Sequence, residues 1–171
     1  MFIGTHMGLP LLMATAGNLA VTARRRHRLF AGRDLFFIAL CGGLPDFLSP
    51  HIRLAARMSS PTHTLWFAMA AVPVIALWCF LAHRQRAFRV GILCETAICL
   101  HLLCDAVAGG IAPFYPFDSS RWGAYYVPPD RWLFLDAVFI SLCLAGMAGV
   151  RYLERGKRTP WQRGVGKTAT S

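Results

Sequence analysis

The sequence is poor in charge, and poorest in acid. Only 15% of its 171 residues are charged, against about 25% in an ordinary soluble domain. Eight residues are acidic and eighteen are lysine or arginine, a formal net charge of +10. No CxxC pair occurs among the six cysteines, all of which fall in apolar stretches; they read as small core residues rather than a redox or metal motif. No internal repeat and no second domain are visible, and the length suits one domain. The VGKT near the C-terminus lacks the rest of a phosphate-binding loop, because Trp161 stands where the first glycine belongs and no strand precedes it. A charge of +10 could suit nucleic acid, but the bases lie in short runs between apolar stretches instead of spreading over a surface, which argues against nucleic acid as a partner.

What the chain has in abundance is apolar sequence, 56% of the whole. Residues 64–82 carry no aspartate, glutamate, lysine or arginine. Residues 90–112 are apolar apart from Glu95, His101 and Asp105, and residues 132–150 hold one acid, Asp136. Each is close to the roughly 20 residues that span the hydrocarbon core. Residues 7–23 form a weaker segment, diluted by Gly8, Pro10, Gly17 and Asn18. Residues 35–48 are apolar but short and interrupted by Gly42, Gly43 and Pro45, as in a short span or a half-inserted helix shielded by neighbours. The expectation is an all-α, polytopic integral membrane protein of about five helices over residues 1–155, followed by a flexible basic tail over 156–171.

Arginine placement orients the map. Arg24, Arg25, Arg26 and Arg28 follow the first apolar core, the reverse of a cleavable signal peptide, so that segment reads as a retained helix. These residues, then Arg84, Arg86 and Arg89, then Arg151, Arg155, Lys157, Arg158, Arg163 and Lys167, all become cytoplasmic if the N-terminus is outside and the C-terminus inside. Arg53, Arg57, Arg121 and Arg131 are the exceptions.

On that map His6, Asp46, His63, His101 and Asp105 gather in one outer layer. His101 and Asp105 are four residues apart and share a helix face. They read either as two ligands of one ion or as a hydrogen-bonded pair joining helices. Asp46 follows a helix-breaking proline and sits where the chain turns. Ser59, Ser60 or Thr62 can cap the third helix, which puts His63 in its first turn. His51 is either a further ligand reaching back from its loop or a solvated histidine. Imidazole and carboxylate donors suit a divalent ion, zinc first. Cys94 shares the face of His101, and Asp136 lies one turn into the last helix, within possible reach of the cluster. The aromatic loop 113–131 reads as an interfacial loop or as a rim over the site.

The order THMG, GGLPD, PTHT and HLLCD followed by FYPF resembles bacterial inner-membrane metal-dependent hydrolases of the YdjM type, over residues 4 to 117. The resemblance implies a polytopic helical protein with a divalent-metal site at His6, Asp46, His63, His101 and Asp105. The chain departs from the family pattern at Leu48, where a second acid is common, and at Met58, where a histidine is common. The resulting expectation is metal-assisted hydrolysis of a lipid or envelope-derived ester. His63, His101 and Asp105 would be ligands, Asp46 the general base, and membrane lipids the surroundings. The alternative is a non-catalytic metal-binding scaffold or transporter-like protein.

Overall fold

A computed structural model describes residues 3–25, 27–49 and 54–155; His51 and the tail 156–171 lie outside the described residues. Five α-helices dominate: α1 (Ile3–Arg25), α2 (Gly32–Leu48), α3 (Leu65–His83), α4 (Ala87–Val107) and α5 (Trp132–Arg155). Short 3-10 turns occupy Leu54–Ser59, Pro61–His63, Arg84–Arg86 and Pro129–Arg131. Among the described residues β-structure is confined to two isolated bridges, Ala108 with Tyr125 and Ile111 with Trp122.

Two stretches are long and apolar enough to cross a bilayer: Leu65–Val107, holding α3 and α4, and Pro129–Arg155, holding α5. In a soluble protein such sequence would form the core. Here only 22% and 17% of their most apolar windows are buried within the protein. Val74, Phe80, Phe88 and Leu133 stand exposed on the outside, a surface that lipid covers without cost and water does not.

The weaker apolar signal of α1 has a structural cause. This helix is the inner one, packed against α2, α4 and α5, and its buried face carries Thr5, His6, Thr15, Asn18 and Thr22. Asn18 clamps the turn into α2 with both ends of its amide. Its Nδ2 donates to the Phe30 carbonyl at 3.0 Å, and the Phe30 N–H donates to its Oδ1 at 2.8 Å. At the other end the Thr5 N–H and hydroxyl both donate to Asp136 of α5, the N–H at 2.8 Å. Asp136 thereby satisfies an N–H that the first turn of any helix leaves free. Its carboxylate is committed to α1 and does not join the His/Asp cluster.

The expected break in the second segment does not occur. α2 runs unbroken for 17 residues through Gly42, Gly43 and Pro45. The glycines serve packing: a Cβ at Gly42 would lie 2.3 Å from the His6 carbonyl oxygen, so only glycine lets α1 and α2 approach this closely. Pro45 falls in the last turn, and the helix continues past it to Leu48.

α1 and α5 run parallel, with Gly4 against Asp136 and Thr15 against Gly146, while α3 and α4 form a hairpin with Cys79 against Gly91. Cys94 faces Cys41 and Cys79 rather than the His101 cluster. The Oε2 of Glu95 is buried without a hydrogen-bond partner among the described residues. The starts of α1, α3 and α5 and the ends of α2 and α4 form one end of the bundle. Arg24, Arg25, Arg33, Arg84, Arg86, Arg89, Arg151 and Arg155 collect at the other.

The loop 113–131 folds back over the first of these ends. The Ala124 N–H donates to the Ala106 carbonyl at 3.1 Å and the Tyr126 N–H to the Val107 carbonyl at 3.0 Å, satisfying acceptors at the end of α4. Gly123 makes this possible. Its φ of 96° suits glycine, and a Cβ there would fall 2.0 Å from the Ala106 oxygen. Trp66, Phe114, Phe117 and Trp122 pack edge to face along the loop.

Candidate metal centre

His101 and Asp105 sit one turn apart on α4, with the His101 Nε2 3.4 Å from the Asp105 Oδ2. Asp46 comes from the last turn of α2 rather than from the turn beyond it. His63 precedes α3 instead of lying within it. The α3 cap is Thr64, whose hydroxyl accepts from the Phe67 N–H, and Ser60 and Thr62 turn to His63 instead. The His63 Nε2 lies 3.2 Å from Asp46 Oδ1, 3.4 Å from Asp105 Oδ2 and 3.3 Å from the His101 Nε2. One donor atom from each of Asp46, His63, His101 and Asp105 falls within 4.8 Å of every other. His6 joins only through Asp105, its Nε2 3.2 Å from Oδ1, and its ring stacks on His101 at 3.9 Å between centroids. The other ring nitrogen of His6, Nδ1, is buried without a hydrogen-bond partner among the described residues.

The far side of each ring fixes its tautomer. His101 Nδ1 lies 2.7 Å from the Gly42 carbonyl, which can only accept, so Nδ1 carries the proton and a neutral ring leaves Nε2 bare. The hydroxyls beside His63 can hold it in the same state, in competition with the 3.0 Å contact between Ser60 and Thr62 and with donation from Nε2 to Asp46. Thr62 donates its proton to the Pro45 carbonyl at 2.9 Å and Ser60 donates its proton to Ser49 at 3.0 Å. Both oxygens are then acceptors for His63 Nδ1, at 3.1 and 3.0 Å. Burial pushes the His63 imidazole below the ordinary histidine value despite the neighbouring Asp46, which keeps it neutral near pH 7. With both rings in that tautomer two bare Nε2 atoms meet at 3.3 Å, bracketed by two carboxylates. Lone pairs facing each other at that distance repel, and a cation between them turns the repulsion into ligation. Ligand bonds near 2.0–2.2 Å put neighbouring donors roughly 3–4 Å apart, as found here.

One member of the site was not visible as such in the sequence. Arg57, an exception to the arginine map, is buried, with its Nη1 3.0 Å from Asp105 Oδ1 and 3.3 Å from the Asp105 carbonyl. A lone arginine in a loop carries no spacing that would have marked it. Leu48, which stands where the family commonly has a second acid, is exposed. Among the four converging residues Asp46 is the open one, 26% exposed where His63, His101 and Asp105 are at 0%.

No curated protein and no solved structure matches the chain. A family model does, that of the YdjM inner membrane protein, over residues 1–163. With lipid-ready helix faces and a buried His/Asp group able to hold a metal ion, the chain belongs to the YdjM inner membrane protein family and is a protein of the inner membrane.

Proposed function

We propose that this protein is a membrane-bound, metal-dependent hydrolase with its site on the outer face of the inner membrane, acting on a lipid or envelope-derived ester. The observation that carries the reading is the convergence of two imidazole Nε2 atoms, 3.3 Å apart, with two carboxylates. His63, His101 and Asp105 would hold a divalent ion, zinc by donor type, and His6 borders it through Asp105. Such an ion, when bound, supplies Lewis-acid polarisation of the scissile bond and acidifies water. Asp46 takes the proton of the attacking water and returns it to the leaving oxygen, a role that suits the one cluster residue open to the outside. Arg57 balances the charge of Asp105 in a setting where an unpaired carboxylate would be costly. The exposed Phe117, Trp122 and Tyr126 of the loop 113–131 form an aromatic rim at headgroup depth, in keeping with a lipid-like substrate.

A second reading has its own observation. Asp46 is as near to His63, at 3.2 Å, as Asp105 is at 3.4 Å. If Asp46 is a fourth ligand, the site is closed in the manner of a structural zinc and the protein is a scaffold. Metal analysis of the purified protein tests both, since absence of any divalent ion overturns them together. Turnover of a phospholipid or lipid-linked ester by the loaded protein separates them. The orientation, N-terminus outside and C-terminus inside through five crossings, has support from the arginines gathered at one end. A reporter fused after Ser171 should behave as cytoplasmic, and a periplasmic signal would move the site to the inner face.

A further inference from the structure

The end of the bundle opposite the His/Asp cluster carries two adjoining cavities of contrasting chemistry. One is an apolar groove of about 560 Å³ between α2 and α3, lined by Phe36, Leu40, Leu44, Val74, Trp78 and Ala82 among others. The other is a polar recess of about 460 Å³ formed by Arg33, His83, Arg84, Gln85 and Arg86. They share Arg33 and His83, so the groove opens directly into the recess. Both volumes lie in the usual range of ligand sites, about 300–1,000 Å³.

The charge at this mouth is in excess. Asp34 is the acid present, and His83 at 2.6 Å, Arg86 at 3.3 Å and the Ala31 N–H at 2.7 Å already occupy it. Arg33 stands 3.8 Å from the same carboxylate with its side chain 65% exposed. Arg84 makes no ion pair among the described residues. It holds a φ of 37° at the end of α3, a conformation that favours glycine, and yet the position carries a guanidinium. Three guanidinium groups against one satisfied carboxylate make a mouth that attracts an anion. The groove's length is equally specific. From Arg33 to Leu44 along α2 is about 16 Å at 1.5 Å per residue. That is close to the ~15 Å depth of one leaflet in a hydrocarbon core of ~30 Å.

We propose that the α2–α3 groove and its arginine mouth bind one anionic phospholipid, the phosphate held by Arg33 and Arg84 and an acyl chain laid against Leu40, Leu44, Val74 and Trp78. Basic recesses between helices on the cytoplasmic side recognise anionic headgroups in this way. The apolar groove commits the site to a lipid, because a free phosphate has no use for it. Arg86 stays with Asp34 and sets the floor of the recess. The proposal stands apart from the hydrolase reading, since none of its residues belongs to the His/Asp cluster.

Trp78 supplies the readout. The full-length protein is placed in phosphatidylcholine vesicles containing phosphatidylglycerol brominated on its acyl chains, or brominated phosphatidylcholine at the same mole fraction. The Trp78→Phe variant isolates the contribution of this indole to the quenching. Brominated phosphatidylglycerol should quench the Trp78 component several-fold more than brominated phosphatidylcholine. The R33Q/R84Q double variant should lose that preference while keeping the parent's helical circular dichroism and thermal midpoint, which shows that the fold is intact. Equal quenching by both lipids overturns the proposal. So does an unchanged preference in R33Q/R84Q, or full relief of quenching by millimolar inorganic phosphate, which would make the recess a free-phosphate site.

Discussion

At the arginine-rich end of the bundle Asp34 is surrounded by groups that give it protons: His83, Arg86 and the Ala31 N–H. At the other end Asp46 and Asp105 face His63 and His101, whose remote ring nitrogens lie against Thr62, Ser60 and the Gly42 carbonyl. Both ends bury a histidine beside an aspartate, and α2 contributes an acid to each, Asp34 in its first turn and Asp46 in its last. The difference lies in what stands behind the imidazole. His83 turns a ring N–H to the carboxylate and closes a charge-balanced knot. His63 and His101 turn their Nε2 atoms both to theirs and to each other, which makes a place for a cation. A His–Asp pair therefore signals nothing by itself; the acceptors on the remote ring nitrogen decide whether it is a strut or a ligand set.

Changing one acid at a time should separate the two ends. The largest effect is expected for Asp105→Asn, which removes the carboxylate that His6, His63, His101 and Arg57 all approach. Metal content measured by atomic emission and hydrolytic turnover should both fall to background. An Asp105→Asn protein that keeps a full complement of metal would remove the cluster from consideration as a ligand set. Next comes Asp46→Asn. As general base its loss lowers turnover by about 10²–10⁴-fold with the metal retained. Loss of metal instead makes Asp46 a ligand and favours the closed scaffold site.

A smaller change is expected behind the imidazole. The S60A/T62V double variant removes both hydroxyl acceptors of His63 Nδ1 while leaving every candidate ligand in place. Zinc affinity, read by competition with a chelating dye, should weaken roughly 10–100-fold, the usual worth of such outer partners. Unchanged affinity would mean that the tautomer of His63 is set by something else. The mildest effect belongs to the far end. Asp34→Asn leaves His83 and Arg86 with a poorer partner and should lower stability by about 1–3 kcal/mol, visible as a lower thermal midpoint. Its zinc content should match the parent; a drop there would mean that the two ends are coupled through α2.

Sequence alone reached the helical membrane class and the four His/Asp residues that converge because both rest on local signals. Apolar runs near 20 residues and the gathering of arginines reflect the energy of placing a side chain in lipid or water, which depends on little beyond the residue itself. The i, i+4 spacing of His101 and Asp105 is likewise set by helix geometry. α2 was harder to read because Gly42, Gly43 and Pro45 resemble breakers until the surface of α1 is laid against them. Ser60 and Thr62 resembled helix caps because a hydroxyl before a helix usually is one, and Thr64 was nearer to the α3 N-terminus. Arg57 was counted as a loop charge because nothing in its neighbours indicates that it folds under Asp105.

The sequence by itself determined which segments prefer lipid, which end of each segment carries arginine, and that histidines and aspartates recur at the opposite ends. Those are properties of single residues and of one helix at a time. Only the tertiary structure decided that His63 and His101 bring their Nε2 atoms to 3.3 Å of each other, that Arg57 pairs with Asp105, and that Asp136 serves the start of α1. It alone also set Asp34 and His83 apart from the ligands they resemble. Each of those outcomes turns on a hydrogen-bond partner contributed by a different element, and partners from distant segments are fixed by packing rather than by spacing along the chain.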